Sequence, residues 1–538
     1  MKKLYILFLL LVPNFLFAQS AVQEFLDINN IKAGFLNRGD MFWNPDLQKA
    51  SFEYPKGSGK HCNFGNVLWI AGKNKTNNAV HVAAQGWRSI GDEYWPGPLD
   101  SSGNITQATS DHWDQIWKVN LSAIQSFLAI SNHTLGNTPK SILEWPAKGN
   151  PYAKTPTNGS LKIPDRDMAP FVDINNDGEY NPLQGDYPKI KGEQMLWWIM
   201  NDNLKPHLMS KSPALKIEIH AAAYACNTSM LDDYIFLDLQ YTNRGNLSFD
   251  STIFGLMSEG DIGKMAFDDF MGFDSTRRMG IMYNGDAYDE GINGYGYNIP
   301  QMGTMLLSSP NDNANFREAV GAFTFMQNSG GRDGWPANGQ EHFNYLTGQW
   351  RDGTPFKKDC DPLNGSGPHS PYVFPGDPQD HTTISEPSCN TIPYNRRFVL
   401  STQPVEFTAG ETKNVTYCFL VANMGNNPYE FTKIKHKADL LLSAPQSCAN
   451  SKKPTAVQNR ELLEIRVYPN PSENHFIVED INENAKNISL YDAFGRALLH
   501  ETKKGFKIEI STSHLPAGIY YLKVKKQEKQ YAQSITVR

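Results

Sequence analysis

The chain has 538 residues, of which 40% are hydrophobic, 12% aromatic and 20% charged, and this excludes wholesale disorder. Its 42 Gly and 33 Pro interrupt nearly every long stretch and exclude a helical bundle or coiled coil. The net charge is −6, but residues 464–538 carry 11 Lys/Arg against 9 Asp/Glu and Lys2 and Lys3 begin the chain, leaving −10 for residues 19–463. Such an acidic body repels phosphate backbones, so no nucleic-acid partner is expected.

The first element is an export signal. Lys2 and Lys3 precede nine apolar residues, Leu4 to Val12, and Phe15-Leu16-Phe17-Ala18 leads to Gln19. A positive start, a short apolar stretch and a small residue at the cut describe a signal peptide over residues 1–18, cleaved between Ala18 and Gln19. Leu16 is larger than the usual residue three places before the cut. A membrane anchor needs about 20 apolar residues, and neither this stretch nor any later one is long enough. The first cysteine, Cys62, is far from the cut, so no lipid anchor is expected there.

Residues 19–205 form a Trp-rich region with nine of the eleven tryptophans. Residues 66–71 and 79–83 read as strands. A tryptophan face is suited to stacking on a sugar ring, although core packing is the commoner use. Near the end of this region stands Asp173-Ile-Asn175-Asn-Asp177-Gly178-Glu179, continuing to Gln184-Gly-Asp186. Oxygen side chains at positions 1, 3 and 5 with Gly at 6 reproduce the front of an EF-hand-type calcium loop, in which Glu179 offers its backbone carbonyl. Position 12 is Gln184 where a bidentate Glu is expected, and Asp186 is the substitute. The motif predicts a structural calcium clip; the plainer reading is a hydrated turn.

Residues 206–448 read as a β-rich, sandwich-like central domain, with strands near 215–225, 234–242, 253–257, 278–283, 320–326, 397–400 and 416–422 and long Gly/Pro-rich loops over 330–395. A second acidic run starts at Glu259 and includes Asp261, Asp268, Asp269 and Asp274, whose carboxylates are candidates for another hard cation or are solvated loop ends. Six cysteines in an exported chain invite disulfides, and Cys360 with Cys389, bracketing a Pro/Gly-rich loop, is the preferred pair. There is no Gly-x-Ser-x-Gly elbow, His-Glu-x-x-His or phosphate-binding glycine loop. Paired carboxylates for glycoside hydrolysis need only proximity in space, which keeps Asp261, Asp268 and Asp269 as candidates.

Residues 449–463 are polar and unpatterned and read as a linker. Residues 464–538 then hold seven short alternating strands, at 466–468, 475–478, 488–491, 497–499, 507–510, 518–524 and 532–536, which predicts an immunoglobulin-like sandwich. The expected fold is therefore mostly β and multi-domain.

Within the tail stand Val467-Tyr468-Pro469-Asn470-Pro471, Ile488-Ser-Leu-Tyr-Asp492 with Gly495-Arg496, and Leu515-Pro-Ala-Gly518-Ile-Tyr520-Tyr-Leu-Lys-Val524. These words resemble the type A C-terminal sorting domain of the type IX secretion system of Bacteroidetes. The resemblance implies recognition by the outer-membrane translocon, removal of the tail by a sortase-like peptidase, and a body released or attached to surface lipopolysaccharide. The two acidic words also resemble segments of large uncharacterised secreted Bacteroidetes proteins. The expectation is an exported surface or extracellular binding or structural protein, stabilised by calcium and with a possible glycan ligand. The alternative is a secreted hydrolase acting on glycans.

Overall fold

The computed structural model describes residues 22–86, 93–228, 230–264, 267–312, 320–423, 427, 429–443, 465–480, 486–492, 496–526 and 529–538. The signal peptide with Ala18 and Gln19, the linker at 449–463 and Gly495 lie outside them. The chain divides into two compact units, residues 1–451 and 452–538. No helix among the described residues is long and apolar enough to cross a membrane.

The body is built on two large antiparallel sheets. The eleven-stranded sheet has at its centre Gly65–Lys73 paired with Phe249–Glu259, which in turn pairs with Arg397–Thr402. The nine-stranded sheet runs through Gln194–Asn201, Ile217–Ala225, Tyr234–Asn243, Thr412–Asn423, Pro300–Ser308, Met279–Asn284 and Asp269–Asp274. Period-2 alternation sorts the side chains of this second sheet between two cores. Leu196, Trp198 and Met200 face the first sheet, where Phe35 meets Trp198 with ring centroids 5.7 Å apart and Tyr241 meets Phe254 at 4.5 Å. Met195, Trp197 and Ile199 point the other way, into a second core. That core is covered by residues 113–190 and by the helix Thr432–Ser443, which buries Ile434, Ala438 and Leu441 at helical spacing.

Burial on both faces explains why Met195-Leu-Trp-Trp-Ile-Met200 is an unbroken apolar run. Its neighbour supplies the space. Trp197 lies opposite Ala222 and Trp198 opposite Ala221, so large side chains are set against small ones.

Two expectations change here, the boundary at 205 and the loops over 330–395, while the tryptophans take the commoner use, core packing. The boundary expected between residues 205 and 206 is not a domain boundary, because each large sheet contains strands from both sides, joined in one continuous ladder. Cutting there would strip one ladder partner from each of Gly65–Lys73 and Gln194–Asn201 and expose a sheet edge. Among the described residues the tryptophans pack into the cores: Trp43, Trp69, Trp95, Trp113, Trp117, Trp145, Trp197, Trp198 and Trp350 are buried, and Trp335 is half-buried against Arg397. Full burial of a large apolar side chain is worth about 1.5–3 kcal/mol, and two packed cores recover that where a surface cannot. The loops over 330–395 hold a helix, Gly339–Leu346, capped by Asn338, whose side chain accepts from the Glu341 N–H. Cys360 and Cys389 do form a disulfide.

The tail unit is a seven-stranded β-sandwich. Ile465–Tyr468, His475–Asp480 and Lys507–Ser511 make one sheet; Ala497–Lys503, Lys486–Tyr491, Gly518–Lys526 and Lys529–Val537 make the other. Phe476, Val478, Ile508 and Ile510 from the first pack on Ile488, Leu490, Leu522, Val524 and Ile535 from the second.

Candidate functional site

The outer face of the nine-stranded sheet carries a cavity of about 570 Å³. Its floor is built by strand alternation. Trp197 and His220 meet there edge to face, with centroids 5.7 Å apart, and Asp238, Gln240, Asn414 and Thr416 form a polar wall. Gln240 and Asn414 are exposed and lie opposite each other across a ladder, so two amides stand side by side. Asp238 accepts from Thr416 Oγ1 at 2.8 Å and pairs with Lys191.

Beside the cavity, on the same face of the strand as His220, Glu218 is fully buried. Its Oε2 accepts from the Leu99 N–H at 2.8 Å and from Arg166 Nη2 at 2.6 Å, while Oε1 accepts from Arg244 Nη2 at 2.9 Å and lies 3.1 Å from His220 Nε2. Burial alone would raise this carboxyl, but His220, Arg166 and Arg244 outweigh it and hold it down to about 2. The hub fixes His220 in the cavity wall.

The roof of the cavity comes from residues 167–171 and 189–191. These flank a two-stranded hairpin, Phe171–Val172 with Tyr187–Pro188, and the loop of that hairpin is the calcium-type motif. Asp173 accepts from the N–H groups of Asn176 (2.7 Å) and Gly178 (2.9 Å), and Asp177 from that of Glu179 (2.8 Å). Gly178 has φ +80°, the left-handed turn that the motif reserves for glycine. Asn175 Nδ2 donates to Asp177 Oδ2 and Gln184 Oε1, drawing three oxygen-bearing side chains together. Glu179 turns its carboxylate toward Lys148, 3.5 Å away, which leaves its backbone carbonyl for the loop. Asp186 is buried and accepts from the N–H groups of Ile174 and Asn181, stapling the loop ends together.

The second acidic run is only partly brought together. Asp274 sits at the far end of the strand Asp269–Asp274 and pairs with Arg277 at 2.7 Å, so it does not join the others. Glu259 pairs with Arg397 at 2.6 Å. Asp268 instead meets Asp289 and Glu290, with one oxygen of each within 4.8 Å of the others, and this is the one such trio of acidic, His or Cys ligand atoms among the described residues. Burial first, then Asp289, raises the Asp268 carboxyl to about 7, and Asp269 is raised well above its ordinary value by burial and by Asp261 and Asp268. Sequence reasoning misses Asp289 and Glu290, although Asn284-Gly-Asp-Ala-Tyr-Asp289-Glu290-Gly has the same acidic, glycine-spaced composition.

In the tail, the sorting words are structural joints. Tyr468 donates to Glu479 at 2.8 Å. Asn470 donates from Nδ2 to the Ser534 carbonyl (2.8 Å) and accepts from the Thr536 N–H (2.9 Å), clamping the last strand. Pro469 and Pro471 flank that clamp. Arg496 donates from Nε to Asp492 Oδ2 at 2.6 Å, and Tyr520, near the Gly518 start of its strand, donates to the Pro516 carbonyl at 2.7 Å.

A search of curated proteins finds no match. A solved polysaccharide lyase aligns over 88% of this chain and 46% of its own length, at 9% identity and a TM-score of 0.18, so the chain spans less than half of that protein and the likeness is too slight to bear on fold or function. Residues 466–538 match the family described as the secretion system C-terminal sorting domain. The sandwich and its clamp therefore belong to a sorting domain, and the chain is a cargo protein of the type IX secretion system, exported to the cell surface or beyond.

Proposed function

We propose that the exported body is a glycan-binding protein whose cavity, on the outer face of the nine-stranded sheet, is roofed by a calcium-clipped hairpin. The carrying observation is the cavity itself: the exposed, adjacent amides of Gln240 and Asn414 beside Asp238 and Thr416, under a roof whose hairpin loop, residues 173–186, is anchored at both ends. Amides, a carboxylate and a hydroxyl match the hydroxyls of a sugar. Calcium on Asp173, Asn175, Asp177 and the Glu179 carbonyl would hold the hairpin in one conformation, with Asp186 bracing it from beneath. On arrival the sorting domain meets the translocon and a sortase-like peptidase, and the body is released or joined to lipopolysaccharide.

Hydrolysis of glycans is the competing reading, and it needs a carboxyl that keeps a proton near neutral pH beside the substrate. Among the described residues the carboxyls raised above their ordinary range are Glu93, Asp202, Asp268, Asp269 and Glu386, and none of these lines this cavity. That favours binding. The test is a glycan array probed with the purified chain, alongside a screen for released reducing ends. Binding without release, lost in Gln240→Ala/Asn414→Ala, is expected. An array with no signal, or turnover of any glycan, overturns the reading.

A further inference from the structure

The loops Glu259–Lys264 and Gly285–Gly296 converge on the start of the strand Asp269–Asp274, away from the cavity. Ile262 N–H donates to Asp269 Oδ2 at 3.0 Å, Lys264 N–H to Asp289 Oδ1 at 3.1 Å, and Tyr295 N–H to Asp289 Oδ2 at 2.6 Å. Gly263, at φ +74°, lets the first loop come this close, because a Cβ there would lie 1.7 Å from an Asp289 oxygen. These contacts leave specific oxygens over. Neither carboxylate oxygen of Asp268 has a hydrogen-bond partner, and both are shut off from solvent.

An independent observation comes from Asp269. The residue is 1% exposed, its Oδ1 has no partner, and the charges it faces are those of Asp261, Asp268 and Asp289. Directly across the ladder, the buried Asn284 leaves its own Oδ1 without a partner. Buried acceptors with no donor cost about 1–3 kcal/mol each, and more when charged. Ionised carboxylates this close also repel one another.

A cation resolves both problems. Oxygens bound to one calcium at about 2.3–2.6 Å lie at most about 5 Å apart, and the trio's 4.8 Å limit falls inside that span. The donor set is all oxygen, which selects a hard divalent ion over zinc or copper. We infer that Asp268, Asp289 and Glu290, backed by the buried carboxylate of Asp269, form a calcium-class cation site that joins the 259–264 and 285–296 loops to the sheet. Glu290 is exposed and marks the entrance.

The site is independent of the hairpin clip, and calorimetric titration of the full chain with calcium separates them. With both sites present the wild type takes two equivalents, and Asp268→Asn takes one. Glu290→Gln, a change at an exposed position that leaves the packing intact, weakens one equivalent by about tenfold or more through the loss of a charged ligand. Asp173→Asn removes the other equivalent. Should the hairpin take no ion, the wild type binds a single equivalent that Asp268→Asn abolishes and Asp173→Asn leaves untouched, and the inference still stands. It is overturned by a wild type that binds no calcium, by one whose calcium is lost wholly in Asp173→Asn, or by Asp268→Asn and Glu290→Gln binding with wild-type stoichiometry and affinity.

Discussion

Replacing Glu218 by Gln tests whether the charge hub beside the cavity supports the body. The folded carboxyl sits at about 2 against an ordinary value of 4.5, and each tenfold change in proton affinity corresponds to about 1.4 kcal/mol. The ionised group thus contributes about 3 kcal/mol, an order-of-magnitude figure that is justified because Glu218 is fully buried. A depressed folded value means that the unfolded chain binds the proton more readily. The contribution is therefore fully present above pH 4.5 and is lost as pH falls toward 2. Urea denaturation followed by tryptophan fluorescence is the assay, and it reports the body alone because all eleven tryptophans lie between residues 43 and 350. At pH 6, Glu218→Gln should be less stable than wild type by about 3 kcal/mol, and by pH 3 the gap should shrink by about 2 kcal/mol. A gap that stays constant from pH 6 to pH 3 would refute the reasoning, since a cost independent of protonation comes from packing and not from the ionised carboxylate.

Deleting residues 464–538 should leave signal cleavage intact and trap the body in the periplasm, and normal display of the truncated chain by surface proteolysis or labelling would contradict this. Asn470→Ala removes two hydrogen bonds to the last strand and should destabilise the isolated tail by about 1–3 kcal/mol, read as a lower urea midpoint, while the body's fluorescence transition stays put. For the hairpin clip, calcium at 100 times its dissociation constant should stabilise the body by about 2.7 kcal/mol over chelator, a gain that Asp177→Ala abolishes. Carrying that melting experiment on an Asp268→Asn background keeps the other acidic cluster out of the reading, and equal melting temperatures in both buffers would return the motif to a polar turn.

The tail is legible from end to end because everything that specifies it is local. Alternating residues such as Lys507-Ile508-Glu509-Ile510 declare one buried and one wet face, and turn words separate the strands, so all seven fall where the pattern puts them. The same logic locates Gly65–Lys73, Tyr234–Asn243 and Thr412–Asn423 in the body, and the Cys360–Cys389 bridge follows from the loop that those residues bracket. The pattern does not tell which strands share a sheet. Pairing of Gly65–Lys73 with Phe249–Glu259 spans nearly two hundred residues, and nothing in either segment names its partner, so composition suggests a boundary at 205 where the sheets in fact continue. Tertiary structure also decided which acidic residues act together. Asp268 and Asp274 are six residues apart, but Asp268 immediately precedes the strand Asp269–Asp274 and Asp274 ends it, and Arg277 claims the second. Asp289 and Glu290 reach Asp268 only because Met279–Asn284 folds back antiparallel on Asp269–Asp274, a juxtaposition set by the ladder and absent from sequence spacing.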